Sequence, residues 1–453
     1  MDTLREEARS VPVAADADLC VVGGSCTGVF AAVRAARLGL KVALIENNGF
    51  FGGVATAGLV CIWHTTLDTV FARQIVAGMT TETIERLRTR GAVRELQPPN
   101  AHVHYYLNTE ELKIELDELV REAGVRPFLH ARFSAAQAEG GRVTAAIFED
   151  KTGRRAIRAK FFIDASGDGD LLARTGLPCR KPARLQPSTA CAVLHGLDRV
   201  AARNPDFRLG RVVFDPQYPE ALPKGFLWTA RQVAGEDLTM VAGTRAFGLD
   251  CSDGDQLTQA EMECRRQIRR MCDLLRRRIA GGENVSLVDL ASCIGIRQTR
   301  QADALHRLTE QEVLDGVRFE DAIANGSYRV DVHHADRPGI TFRYLDGTEE
   351  VVAENGQVTK GRWRPARAED PTFYQIPYRS LVPRGAENVL VAGRLMDADE
   401  NAYGAVRVMV NCNQTGEAAG VAAHVALDAG RLASEIDTAT LRRRLAQGGS
   451  AIV

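Results

Sequence analysis

The sequence predicts an α/β protein: a Rossmann-like half that carries a β-meander and is closed by the far end of the chain, with a mixed, β-rich domain inserted. Three observations predict it. The apolar run Leu19-Cys20-Val21-Val22 breaks at Gly23 and Gly24 and leads through Gly28 into a small-residue helix. A second apolar strand, Lys41 to Ile45, ends on Glu46, eighteen residues beyond Gly28. Two later apolar strands end in small residues, one at Ser166, Gly167 and Asp168 and the other at Ala392 and Gly393, just before Arg394.

The first element is a strand, a tight turn and a helix. Gly23 turns the chain where a side chain would block it, and Gly28 lets the helix lie close to the strand. Ala31, Ala32, Ala35 and Ala36 keep that helix slim, and Gly39 ends it. Backbone amides at its start, over Ser25, Cys26 and Thr27, have no partner inside the helix and face the positive end of its dipole. They suit a pyrophosphate. Glu46, with Asn47 beside it, is placed to accept both hydroxyls of an adenosine ribose and to repel a 2′-phosphate. The pattern therefore specifies a dinucleotide without a 2′-phosphate. Ser25 stands where the G-x-G-x-x-G pattern has its second glycine, so Gly24 has to supply the room or the Ser25 hydroxyl has to bond to the phosphate.

The stretch after Glu46 changes the expected ligand. A simple NAD domain adds another strand-helix-strand unit, whereas this chain enters a glycine-rich loop, Gly49 to Gly58, containing Gly52, Gly53, Ala55 and Thr56. Adjacent glycines let backbone pass close to a long ligand, as FAD is when stretched across a sheet. A helix from about Asn108 to Ala123 places Leu112, Leu116, Leu119 and Val120 inward, with Gly124 as its stop. From Ala131, three short strands with turns at Gly140-Gly141 and Thr152-Gly153 form an antiparallel meander. It runs into Phe161 to Asp164 and the loop Ser166-Gly167-Asp168, which reads as a second backbone approach to the ligand or as a plain loop with Asp168 capping a helix.

The expected nucleotide domain comprises residues 1–62, 106–185 and 384–453. Residues 63–105 and 186–383 are expected to form the substrate domain. Within the latter, Thr309-Glu310-Gln311-Glu312 has the form of a capping box. The stretch Arg265 to Arg278 carries Ile268, Met271, Cys272, Leu275 and, just beyond it, Ile279 at helical spacing, which makes a helix with one buried stripe and a solvated basic face.

Composition limits the alternatives. The chain has 453 residues, 45% hydrophobic and 25% charged, with a net charge of −1, so there is no general pull towards nucleic acid or an acidic membrane. No segment has the length and apolarity of a membrane span, and the start lacks the basic and apolar parts of a secretory signal, so a cytoplasmic location is expected. The ten cysteines are scattered without a C-x-x-C pair, so neither a metal site nor a dithiol redox centre is expected.

Taken together, these segments resemble the FAD-dependent oxidoreductase family of the glutathione-reductase-like flavoprotein superfamily. The likeness runs through most of the chain. It is carried by Val21-Val22-Gly23-Gly24 with Gly28, by Phe51 to Val60, by Ile163 to Asp170, by Gly295-Ile296-Arg297-Gln298-Thr299-Arg300, by Tyr328 to His333, by Ile376 to Pro383, by Val391 to Arg394 and by Val406 to Met409. The resemblance implies FAD, bound covalently or non-covalently. It puts the adenosine near Glu46, the pyrophosphate over Gly23 to Gly28, the ribityl chain near Asp397 and the ring near Gly53 to Thr56. Cys61 and His64, after the Gly-Gly loop, are the residues to consider for covalent attachment, with a structural role for each as the preferred reading.

The chemistry expected is oxidation of a small polar or anionic substrate, with hydride passing from a C–H bond to the flavin. Arg297 and Arg407 are expected to bind an anion through guanidinium forks, and Arg300 is the weaker candidate. His333 is the expected general base; strand alternation puts Asp331 on the same face, and the competing reading is a polar loop without a catalytic part. Trp63, Tyr374 and Tyr378 are candidate pocket walls, with plain core packing as the competing reading. No second glycine-rich nucleotide site and no C-x4-C pair is visible, which argues against a pyridine-nucleotide disulfide reductase. The alternatives are a flavin monooxygenase using external NAD(P)H and a non-catalytic flavin-bearing subunit. The expected partners are a small-molecule substrate, an electron acceptor that the sequence does not specify and, in one reading, further copies of the chain.

Overall fold

The structure is a computed structural model that describes residues 2–99, 103–222, 226–233, 235–335, 339–353 and 357–453. Its central sheet is built on the strand Val13–Val22. On one side this strand runs parallel to Val42–Ile45, with Leu19 opposite Val42 and Val22 opposite Ile45. Arg126–Phe128 extends the sheet beyond it. On the other side lies Gly153–Asp164, parallel, with Val22 opposite Asp164. This long strand divides its second edge between two partners. Its first half pairs antiparallel with Arg142–Asp150, which in turn pairs with Arg132–Glu139, while Phe162 to Asp164 pair parallel with Val389–Val391. The meander thus forms where its turns predict, and the late strand Val389–Val391 returns to the sheet.

Strand alternation separates two cores. Leu19, Val21, Phe161 and Ile163 face the helices Cys26–Arg37, Thr109–Glu122 and Met409–Ala429, whereas Cys20, Val22 and Phe162 face the meander side with Phe133, Val143 and Phe148. The first and last of those helices touch backbone to backbone. A Cβ at Gly416 would lie 2.0 Å from the Thr27 carbonyl oxygen, and one at Gly420 2.2 Å from that of Ala31. The Asn108 side chain caps its helix by accepting from the Glu110 and Glu111 amides.

The expected boundary at residue 63 is not a break in packing. The helix Met79–Thr89 inserts Met79, Ile84 and Leu87 into the core shared by the three helices above, and Trp63 and Tyr105 lie in it too. A buried ion pair, Arg34 Nε to Glu417 Oε1 at 2.9 Å, sits at that junction, and the Met79 amide donates to Glu417 at 3.1 Å. Segment 63–105 packs against these helices and is also tied to the middle of the chain, where Asn325 Nδ2 donates to the Ile75 carbonyl at 3.0 Å and Ser327 Oγ to that of Leu67 at 2.7 Å.

The middle of the chain is β-rich, as its composition predicts. A four-stranded antiparallel sheet, ordered Trp228–Arg231, Leu238–Ala242, Ala192–His195 and Ser286–Leu290, is covered by the helix Gly254–Arg278 through Ile268, Met271, Cys272 and Leu275. The basic face of this helix is partly tied down: Arg278 pairs with Glu220 at 3.0 Å, and Arg270 donates to the Pro219 and Glu220 carbonyls. A second meander runs through Val330–His333, Ile340–Arg343, Thr348–Val352 and Val358–Arg362. The capping box forms at Thr309 and Glu312. Among the described residues, no helix is long and apolar enough to cross a membrane, and no group of His, Cys, Asp or Glu could hold a metal ion.

Candidate functional site

Four bends, distant in sequence, converge at the ends of the parallel strands. Gly23 has φ +102°, and a Cβ there would lie 2.4 Å from the Ala165 carbonyl oxygen; a Cβ at Gly28 would lie 1.8 Å from that of Gly23. Ser25 is the N-cap of the helix, so the amides of Cys26 and Thr27 open its first turn. The glycine-rich loop crosses this turn. The Gly52 amide donates to the Gly24 carbonyl at 2.9 Å, and a Cβ on Gly53 would meet the Ser25 Cβ at 2.7 Å. Ala55 is buried below the loop, and the Thr56 hydroxyl closes it by donating to the Phe51 carbonyl at 2.7 Å.

The other two bends are locked to each other. Asp164 is fully buried and accepts from the Ser166 amide, the Ser166 hydroxyl and the Leu172 amide; burial pushes its carboxyl up to about 6. Arg394 then reaches Asp168 at 3.1 Å, and a Cβ on Gly167 would strike the Arg394 guanidinium at 2.6 Å. Gly393 lies beside Thr27, and its amide donates to Thr415 Oγ1 at 2.9 Å.

Glu46 is buried and accepts from the Gly24 amide at 2.6 Å and from the Asn48 amide and side chain, each at 2.7 Å; burial raises its carboxyl above the ordinary range. Asn47 beside it is exposed. Asp397 has a different setting from the others. Its buried carboxylate accepts from Arg180 and, at 2.9 Å, from the Ala304 amide.

A second cluster lies where the inserted strands meet the loop after Glu400–Val406. His333 Nε2 is 3.4 Å from Asp331 Oδ1, as strand alternation predicts, and Tyr328 donates to the other Asp331 oxygen at 2.8 Å. Arg407 is 3.8 Å from the same Asp331 Oδ1 and donates to Gln186 Oε1 at 3.4 Å. Arg297 donates to the Pro187 carbonyl and, at 2.6 Å, to Thr189 Oγ1. Thr189 Oγ1 also accepts from Arg245 at 2.8 Å. Arg300 belongs elsewhere, since it donates to the Asp168 and Ser252 carbonyls.

The charges in this cluster do not balance. Three guanidiniums, Arg245, Arg297 and Arg407, face one carboxylate, Asp331. Burial, followed by the charges of Arg245 and Arg407, pushes Arg297 well below the guanidinium range, and burial pushes Arg245 down to about 10. Guanidiniums keep their protons in proteins, so a bound anion would relieve this excess of positive charge. Burial and the same three arginines push His333 well below the imidazole range, which keeps it neutral at pH 7. Buried donors without partners, Gln186 Nε2, Gln298 Nε2, Arg245 Nη2, Arg394 Nη1 and Arg407 Nε, occur across both clusters. Such a set calls for electron-rich ligand atoms.

Some expected residues are structural. Trp63, Tyr374 and Tyr378 lie in the main core, where Tyr374 donates to the Ala405 carbonyl and Tyr378 to that of Ala433; they fill the interior rather than wall a pocket. Burial pushes the Cys61 thiol up to about 12, and the His64 ring meets Tyr328 edge-on at 4.3 Å. Sequence reasoning missed Arg245, Gln186 and Thr189. The one available signal for Arg245 was a lone charge after the apolar run Met240-Val241-Ala242. A cavity of about 570 Å³ opens beside Val332, His334, Arg184 and Glu400, and a smaller, partly open one lies among Arg245, His333, His334 and Ile340.

The profile of the FAD dependent oxidoreductase family matches residues 18–445. The chain belongs to that family. FAD is its cofactor, and the residues fit it: four convergent bends admit no side chain at Gly23, Gly28, Gly53 or Gly167, and the buried Arg394 Nη1 stands beside them without a partner. No match is found among curated protein sequences. Similar solved structures include a geranylgeranyl bacteriochlorophyll reductase-like protein from Thermoplasma acidophilum, 13% identical with a TM-score of 0.47, covering 96% of this chain and 84% of that one. A flavin-dependent brominase is 13% identical with a TM-score of 0.46, covering 93% and 81%. A flavoprotein/dehydrogenase from Cytophaga hutchinsonii is 12% identical with a TM-score of 0.45, covering 95% and 82%. In this FAD dependent oxidoreductase, the nucleotide bends and the arginine cluster are linked through Gly295 to Arg300. Thr299 donates to Asp168 at 2.7 Å, while Arg297, two residues earlier, donates to Thr189.

Proposed function

We propose that this oxidoreductase is a dehydrogenase or oxidase of a small anionic substrate bearing a hydroxyl or amino group on the carbon to be oxidised. The observation that carries the reading is the buried excess of guanidinium over carboxylate beside a neutral histidine. The parallel sheet with its meander supports a nucleotide domain of the glutathione-reductase type. Gly23 to Gly28, Glu46, Gly52 to Thr56, Ser166 to Asp168 and Arg394 would hold FAD, which when bound supplies the acceptor for hydride from the substrate C–H bond.

Arg297 and Arg407 bind the anionic group, and their rigid forks fix which carbon is presented. With Nε2 of His333 turned towards Asp331, Nδ1 is the nitrogen left to take a proton from the substrate O–H or N–H. Asp331 then stabilises the imidazolium that forms, and Tyr328 holds the carboxylate in place. Burial of the cluster keeps water from the exchange.

The test is an anaerobic screen of hydroxy acids, amino acids, polyols and amines for bleaching of the visible flavin band. Bleaching by a carboxylate-bearing member and not by its uncharged analogue is the expected result. Bleaching by NADPH alone would instead favour a monooxygenase. A flavin that no small molecule reduces would leave the non-catalytic reading.

A further inference from the structure

We propose that Gly404 and Tyr403 are positioning residues: without touching substrate, they fix how far Arg297 and Arg407 stand from the Asp331–His333 pair. The proposal rests on the reading of that cluster as the substrate site. The strand Val330–His333 stands at the edge of its meander, and its open side meets the helix Glu400–Val406. Backbone groups on that side are taken up by the site itself. The Asp331 carbonyl accepts from Arg407 at 3.3 Å, and the His333 amide donates at 3.4 Å to Gln186 Oε1, the same oxygen that accepts from Arg407. Arg407 therefore reaches both the backbone of Asp331 and, at 3.8 Å, its carboxylate.

Gly404 allows this approach. A Cβ there would lie 2.5 Å from the Asp331 carbonyl oxygen and 2.9 Å from both its carbonyl carbon and its nitrogen, so the helix lies backbone to backbone on Asp331. The atom struck first is the one that Arg407 binds. The helix is pinned at both ends and cannot slide to make room. Asp399 caps its start through the Asn401 and Ala402 amides and accepts from the Glu310 amide at 2.8 Å, while near its end the Ala405 carbonyl accepts from Tyr374 at 3.1 Å and from Asn411 at 3.2 Å. An added methyl group therefore displaces the strand. Tyr403, fully buried beside Gly404, donates to the Arg297 carbonyl at 3.0 Å. One short helix thus locates Asp331 through Gly404, Arg297 through Tyr403, and Arg407 as its C-terminal cap.

The experiment compares the FAD-loaded wild type with Gly404→Ala and Tyr403→Phe by two readouts. The first is the imidazole 15N spectrum against pH, with the His333 signal assigned by its loss in His333→Asn. Gly404→Ala separates Asp331 and His333 from Arg407, and Tyr403→Phe loosens Arg297; both arginines repel an imidazolium at His333, so His333 should titrate at higher pH in each variant than in the wild type. The second readout is perturbation of the visible flavin band by oxalate, a carboxylate with no C–H bond to oxidise. Both variants should keep the flavin content of the wild type, while the oxalate concentration for half-maximal perturbation rises roughly tenfold. An unchanged His333 titration in either folded variant, or an oxalate response that weakens only in step with lost flavin, would overturn the proposal. Tyr403→Phe adds no atom to the interior, so it decides the matter where Gly404→Ala fails to fold. If oxalate leaves the wild-type band unmoved, the substrate reading fails instead, and the imidazole titration, which involves neither substrate nor turnover, still decides this proposal.

Discussion

His333 Nε2 and Asp331 Oδ1 lie 3.4 Å apart at one end of the strand Val330–His333, and Arg407 approaches the same oxygen at 3.8 Å. One carboxylate is therefore shared between a base candidate and an anion-binding candidate. That sharing couples the proton-transfer and substrate-binding parts of the site.

The pH response of His333 is set by its surroundings. Its folded value lies well below 6.5, so at pH 7 it is neutral in the folded chain while the unfolded chain is only beginning to take up a proton. As pH falls below about 6.5 the unfolded chain takes up a proton that the folded one does not, and stability drops until the folded value is reached. Urea unfolding of the wild type should weaken from pH 7 to pH 5, with His333→Asn showing a smaller loss. For the same reason the rate of flavin reduction should lack an acid limb near pH 6.5.

Arg407 and Arg297 should differ from Arg300. Arg407→Met or Arg297→Met removes a buried cation facing the substrate, which costs about 2–3 kcal/mol of anion binding, or roughly 30- to 150-fold in the substrate concentration needed for half-maximal bleaching. Arg300→Met, whose guanidinium bonds to the Asp168 carbonyl, should alter flavin retention before it alters substrate binding. Stopped-flow reduction beside measurement of flavin content separates the two outcomes.

At the nucleotide bends the consequence is steric. Gly28→Ala puts a Cβ 1.8 Å from the Gly23 carbonyl oxygen, and the chain has to move to relieve it. The purified variant should be colourless or nearly so. Glu46→Gln turns one acceptor into a donor facing the Gly24 or Asn48 N–H, which costs about 1–3 kcal/mol and should weaken FAD binding about tenfold or more, as read by equilibrium dialysis.

Arg34 and Glu417 join the helices Cys26–Arg37 and Met409–Ala429 with almost no exposure to solvent. Arg34→Met leaves Glu417 buried without its charge partner and should destabilise the fold by about 3–5 kcal/mol. The double replacement Arg34→Met with Glu417→Leu should recover much of that loss. Urea midpoints of the three proteins measure the effect.

The sequence by itself determined the local features: strand-turn-helix at Gly23 to Gly28, the capping box at Thr309, the meander turns, the buried stripe of Gly254–Arg278, and the pairing of Asp331 with His333. Each of these depends on residues a few positions apart, whose spacing reports backbone geometry directly. The position of segment 63–105, the ion pair of Asp397 with Arg180 and the core placement of Tyr374 and Tyr378 were decided only by tertiary structure, because burial depends on which distant surface covers an apolar face. The arginine cluster is the clearest case. Arg245, Arg297 and Arg407 come from three separate segments with no fixed spacing, and their unbalanced charge exists only once folding has removed water from between them.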